Sequence, residues 1–284
     1  MAETTNFDAP ALGERAARVR ATVPLVHCIT NYVTVNDCAN ALLACGGSPI
    51  MSDEPEDVAD ITSICGGLVL NIGTLNRRSL EGMAVAGVRA TELGHPIVLD
   101  PVGAGASRLR TEAAANILDT MAVTVVRGNM SEIKAVAGAA SSTRGVDVDP
   151  ADVVTDENLA SSCAFARNLA EKLGCVVAIT GVIDVVADAG RSAAIRNGHP
   201  IMGKMTGSGC MLSAVSGAYV TANPDDTFMA EVAAIAGEGL AGEVAASRMG
   251  ELDGNGSFRT YLLDALYNLS AEQLAGGARV EWVA

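Results

Sequence analysis

A mainly parallel α/β sheet with helices on both faces is predicted by three features of the sequence. Short apolar runs at residues 25–29, 68–72, 96–100, 123–126 and 175–180 close on polar residues or polar loops. Helical patterns stopped by glycine lie between them, an alternation that gives right-handed crossovers and parallel strands. Late in the chain, residues 185–187, the turn Asp188-Ala189-Gly190 and residues 192–196 read as an antiparallel hairpin at one edge.

The elements follow in order. Asp8-Ala9-Pro10 caps a first helix running through Arg20, with Leu12, Ala16 and Val19 on one face. The run Leu25-Val26-His27-Cys28-Ile29 suits a buried strand opening into Thr30-Asn31-Tyr32. An alanine-rich helix over about 35–44 stops at Gly46-Gly47, and Ser48-Pro49-Ile50-Met51 is a brief strand before the capping sequence Ser52-Asp53-Glu54-Pro55-Glu56. After the strand at 68–72, Asn76 caps a helix reaching Leu93 and stopped by Gly94. Residues 96–100 form the next strand, 123–126 another, and a helix runs from Ser131 to Ala137. The polar segment 141–147 reads as a flexible loop or a linker. A helix over about 156–173 and the strand at 175–180 restore the alternation, the edge hairpin follows, and residues 227–249 and 260–269 carry helical patterns. No internal repeat or low-complexity tract is present.

Composition narrows the function classes. A length of 284 residues admits one large α/β domain or two small ones. With 19 basic and 33 acidic residues the net charge is −14, which argues against nucleic acid or an anionic membrane as the main partner. An anionic substrate therefore needs local help from helix N-termini, a few Arg or Lys residues, or a divalent cation. The seven cysteines are scattered and never form a CxxC pair, which points to a reducing, cytoplasmic setting without a disulfide framework or zinc site. The first residues lack the basic and apolar regions of a secretory signal. The uncharged stretch 205–224 is too rich in Gly, Ser and Thr for a membrane span and reads as a loop plus a buried helix.

Ligands of parallel sheets bind outside the carboxyl ends of the strands, where Asn31, Asn71, Asp100, Arg127, Asn129 and Thr180 are expected. The segment Lys204-Met205-Thr206-Gly207-Ser208-Gly209-Cys210 runs straight into a small-residue helix. Its free N–H groups and helix dipole suit a phosphate, and the dipole is expected to lower the thiol pKa of Cys210. A glycine turn around a buried, inert cysteine fits the same heptapeptide. Asp100, before Pro101, suits either a hydrated Mg²⁺ or a simple turn. Glu132 is expected one turn into its helix, and Arg127 either clamps a phosphate or makes a structural ion pair. No GxxxxGK[ST] or GxGxxG motif is present, and His27, His95 and His199 are too isolated in sequence to suggest a metal site.

Six motifs occur in a fixed order: Asn31-Tyr32-Val33-Thr34-Val35-Asn36, Asn71-Ile72-Gly73-Thr74-Leu75, Asp100-Pro101-Val102-Gly103, Arg127-Gly128-Asn129-Met130-Ser131-Glu132-Ile133, Val177-Ala178-Ile179-Thr180-Gly181 and Thr206-Gly207-Ser208-Gly209-Cys210. Over nearly the whole chain this set resembles the hydroxyethylthiazole kinases, thiamine-salvage enzymes of the ribokinase-like superfamily. The resemblance implies one ribokinase-like domain over 1–284 and phosphorylation, by ATP, of the hydroxyl of 4-methyl-5-(2-hydroxyethyl)thiazole. It implies Met51, Gly207 and, on the preceding loop, Asn31 as substrate contacts, Arg127 and Thr180 as ATP contacts, and Asp100 and Glu132 as organisers of Mg²⁺. It places Cys210 where most of the superfamily carries the catalytic Asp. It also implies a homotrimer with sites between subunits. The polar insertion at 141–149 departs from the family pattern. Rival readings are an ATP-dependent lyase of the same superfamily, acting on hydrated nicotinamide nucleotides, and a non-catalytic thiazole or nucleotide sensor.

Overall fold

The computed structural model describes residues 7–138 and 152–283. The polar stretch 141–149 lies outside the described residues. In the first half, helices and strands alternate as α1 (Ala9–Thr22), β1 (Leu25–Ile29), α2 (Val35–Cys45), β2 (Ser48–Met51), α3 (Val58–Ile64), β3 (Gly67–Asn71), α4 (Arg77–Leu93) and β4 (Ile97–Asp100). The alternation continues through α5 (Arg108–Thr120), β5 (Val125–Gly128), α6 (Met130–Val136), α7 (Leu159–Leu173) and β6 (Val176–Ile179). Two strands, β7 (Asp184–Ala187) and β8 (Ser192–Ile195), form the hairpin. A 3₁₀ turn at Pro200–Lys204 leads into α8 (Ser208–Ala222), α9 (Thr227–Ser247), α10 (Asn255–Asn268), α11 (Ala271–Gly277) and β9 (Val280–Trp282).

One nine-stranded sheet runs β2-β1-β3-β4-β5-β6-β7-β8-β9. Its first six strands are parallel, and β7, β8 and β9 are antiparallel. The core is split by the sheet. One apolar cluster joins it to α1, α2, α8, α9 and α10, and the other joins it to α4, α5, α6 and α7. Strands β3 to β6 are buried along their length, as befits a sheet covered on both sides.

Local chemistry explains the boundaries. The Asp8 side chain accepts the Ala11 N–H at the start of α1, Asn76 and Ser79 form a reciprocal cap on α4, and Gly94 ends α4 at φ +68°. The Ser52–Glu56 segment is not a side-chain cap. Ser52 donates to Asp57, and α3 begins only at Val58. Strand β5 sits two residues later than its apolar run suggests, because Thr124 supplies its hydroxyl to the Ile97 N–H ahead of the ladder. Arg127 therefore lies within the strand. Helix α7 begins three residues later than expected and α10 five residues earlier. The sequence reading did not assign α3, α5, α11 or β9.

Candidate active site

The carboxyl ends of β1, β3, β4, β5 and β6 converge on the first turn of α8. Strands β3 and β4 finish in register at Asn71 and Asp100. There Asn71 Nδ2 donates to Asp100 Oδ2 at 2.8 Å, and Ser213 Oγ, one turn into α8, donates to the same oxygen at 2.8 Å. The guanidinium of Arg127 joins the remaining pieces. Its Nη1 lies 3.4 Å from Asp100 Oδ2 and 2.9 Å from the Gly209 carbonyl, and its Nη2 donates to Thr180 Oγ1 at 2.7 Å. Arg127, Asp100 and Thr180 are thus one network fixed to the start of α8.

Glu132 occupies the third position of α6. Asn129 and Glu132 cap each other, so that Glu132 Oε2 accepts the Asn129 N–H while Oε1 accepts the Gly103 N–H at 2.8 Å. Both oxygens are committed to backbone donors. Burial, and secondly the charge of Asp100, push the Glu132 carboxyl up to about 7 against those two bonds. Burial likewise raises Asp100, opposed by Arg127, Ser213 and Asn71. Among the described residues the hydrogen bonds to the Asp100 carboxylate fall on Oδ2. Two buried acids, of which only Asp100 pairs with Arg127, fit a hydrated Mg²⁺, a hard cation that uses one or two carboxylates and keeps its waters. No group of three or more His, Cys, Asp or Glu among the described residues forms a protein-only metal cage.

Helix α8 starts at Gly207, with φ +94° and no side-chain cap. Its first N–H groups are open to a ligand. A Cβ at Gly207 would come within 2.5 Å of Thr34 Cγ2, so the turn needs glycine for both conformation and space. Cys210 is buried, and Asn31 Nδ2 stands 4.0 Å from its sulfur. The expected lowering of the thiol pKa is not found. Burial raises it and the Asp100 charge adds to this, outweighing Thr34, Asn71 and Arg127, which favour the thiolate. Met51, the last residue of β2, is half-buried on the same core cluster as Cys38, Met205 and Cys210 but makes no polar tie to the network. A surface cavity of about 620 Å³ lined by Val123, Thr124, Cys175 and Arg191 lies at the opposite end of these strands.

Sequence reasoning missed Ser213 and Arg110. Ser213 follows Gly209 by one helical turn, a spacing that could have been read. It also missed Glu231 and Glu238, buried on α9 inside an alanine-rich pattern. Among the described residues each has an Oε2 without a hydrogen-bond partner, while Glu231 Oε1 accepts from Ser216 Oγ.

The model of the hydroxyethylthiazole kinase family matches residues 16–272. The chain belongs to the hydroxyethylthiazole kinase family. The hydroxyethylthiazole kinase of Clostridium acetobutylicum is 50% identical over 270 residues, covering 95% of this chain and 99% of its own. A solved hydroxyethylthiazole kinase from Pyrococcus horikoshii superposes with a TM-score of 0.85 at 37% identity, covering 96% of this chain and 99% of its own. A ribokinase-like superfamily protein from Enterococcus faecalis, 10% identical, covers 93% of this chain and 96% of its own with a TM-score of 0.61, a likeness of fold alone.

Proposed function

We propose that the protein transfers the terminal phosphoryl group of ATP to the primary hydroxyl of 4-methyl-5-(2-hydroxyethyl)thiazole, in thiamine salvage. The observation that carries this reading is the junction at Gly207–Cys210. Open helix N–H groups, the Arg127 guanidinium and the Cys210 thiol meet there at the end of a parallel sheet. Phosphoryl transfer of this kind asks for positioning and charge stabilisation more than covalent chemistry.

In this reading Arg127 and Thr180 hold the ATP phosphates. Met51, Gly207 and Asn31 hold the thiazole alcohol, and Cys210, in the minor thiolate form that Thr34, Asn71 and Arg127 favour against burial and the Asp100 charge, accepts its hydroxyl proton. Asp100 and Glu132 would hold Mg²⁺, with Glu132 fixed in place by the Gly103 and Asn129 N–H groups that its two oxygens accept. Bound Mg²⁺ supplies charge neutralisation between the ATP phosphates. The one sheet acts as one catalytic domain.

A cytoplasmic homotrimer completes the proposal. All seven cysteines are free thiols, and no helix among the described residues is long and apolar enough to cross a membrane. Exposed Tyr32 and Val33 beside Asn31 offer apolar surface next to the site, and Leu43 is exposed towards the far end of α2.

A coupled ADP-release assay with and without the thiazole alcohol tests the activity. ADP is expected only when the alcohol is present, in equal amount with the phosphorylated product. Release that is independent of the alcohol, or none at all, refutes it.

A further inference from the structure

Arg110, on the first turn of α5, makes no bond to a carboxylate among the described residues. Its guanidinium instead grips three backbone carbonyls from two loops. Nη1 donates to Ile72 O at 3.0 Å and Val102 O at 2.8 Å, and Nη2 donates to Gly73 O at 2.7 Å. The β3–β4 ladder ends at Ile72, whose N–H donates to Asp100 O. Beyond that point Arg110 ties the loop after β3 to the loop after β4.

Both loops carry the backbone groups that hold the proposed metal carboxylates. Next to Val102, the Gly103 N–H donates to Glu132 Oε1. Gly103 has φ +72°, and a Cβ there would lie 3.1 Å from Arg110 Cδ, so the glycine lets the arginine approach the turn. The Gly73 N–H donates to Asn71 Oδ1 at 2.9 Å, orienting the amide whose Nδ2 donates to Asp100. Gly73 also backs Asn31, since a Cβ there would lie 2.4 Å from Asn31 Nδ2, the group facing Cys210. A planar guanidinium spans acceptors on two loops at fixed separation. A lysine ammonium on a flexible stem has no such fork.

We propose that Arg110 is a positioning residue that sets the spacing between Asp100 and Glu132 by clamping the Ile72–Gly73 and Val102 carbonyls. This inference rests on the metal role assigned to those two acids.

The test compares wild type, Arg110→Lys and Arg110→Ala for binding of Mn²⁺ with ADP, read by electron paramagnetic resonance, and for the Mg²⁺ dependence of turnover. Loss of a partner that orients a metal ligand typically weakens metal binding ~10–100-fold. Arg110→Lys is expected to fall in that range while KM for the thiazole stays within about twofold. Added methylguanidinium is expected to restore metal binding to Arg110→Ala and leave Arg110→Lys unchanged. A folded Arg110→Lys enzyme with wild-type Mn²⁺ affinity overturns the proposal while leaving the kinase reading intact. So does an Arg110→Ala enzyme that methylguanidinium fails to rescue. Wild-type enzyme that binds no Mn²⁺ with ADP overturns both the proposal and the metal role on which it rests.

Discussion

Glu238→Gln is expected to stabilise the ligand-free enzyme at alkaline pH and to do nothing useful at acid pH. Glu238 sits on α9 with 1% of its surface exposed, and its Oε2 has no hydrogen-bond partner among the described residues. Burial pushes its carboxyl from 4.5 up to about 8, with Asp184 and Glu231 adding to the rise and Arg127 opposing it. The folded value lies above the unfolded one. Its contribution to stability is therefore complete below pH 4.5 and is lost as the pH rises through about 8. At about 1.4 kcal/mol per pH unit, the gap corresponds to about 5 kcal/mol across that window. Glutamine keeps the shape of the neutral acid but does not titrate. At pH 5 it should match wild type or cost about 1–3 kcal/mol for its unpaired amide group. Urea denaturation of both proteins from pH 5 to 9 measures the slopes directly. Wild-type stability should fall more steeply with pH than that of the variant, and the curves should cross. Parallel curves would refute the argument, because they would mean that Glu238 ionises as readily folded as unfolded.

Three further outcomes follow from the site. Arg127→Ala removes a charged partner of Asp100 and Thr180, and a charge-assisted bond of about 1.5–3 kcal/mol implies a rise of ~10–100-fold in KM for ATP; steady-state kinetics showing the larger effect on the thiazole would reverse the assignment. Gly207→Ala places a Cβ against Thr34 in a left-handed turn, so unfolding should show a loss of at least ~1 kcal/mol and the KM for the thiazole should rise; unchanged values for both would show that the turn relaxes freely. Cys210→Ala should lower kcat by about 10²-fold or less, whereas Cys210→Asp should keep or raise it, since Asn31, Thr34, Asn71 and Arg127 surround that position. A folded but inactive Asp variant would show that Cys210 only packs.

The strands and most caps were legible because their signals are local. Asp8, Asn76 and Gly94 act within a few residues of their own helices, and the apolar runs stop within two residues of the strand ends. Strand ends in a parallel sheet share one edge, which is why Asn71, Asp100, Arg127 and Thr180 group together on the sequence alone. What they do to one another was not legible. The choice of Arg127 between a phosphate clamp and a structural ion pair depends on a 2.9 Å contact with a carbonyl 82 residues away. The thiol of Cys210 was misread because the helix dipole is a local property, whereas its burial and the nearby Asp100 charge are set by the fold. Glu231 and Glu238 were hidden for a related reason. Seven residues apart, they mark one face of a helix, and a charged face normally belongs to solvent. Here α9 is covered on both sides and that face is inside.

The acidic balance of the chain makes the position of α8 consequential. On the proposed reading, a protein of net charge −14 receives a polyanion at a site that already holds Asp100 and Glu132. Arg127 alone does not compensate them, since its guanidinium is already engaged by Asp100, the Gly209 carbonyl and Thr180. The remaining positive potential comes from the start of α8, where Gly207 leaves the first turn without a side-chain cap. That helix is buried along nearly all of its length between the sheet and α9, so its first turn is held by core packing as well as by the loop before it. Donors fixed in this way pay little reorganisation when charge develops on a transferring phosphoryl group. The catalytic demand on this sequence is thus met largely by backbone, which explains why glycines and small residues, and few basic side chains, mark the site.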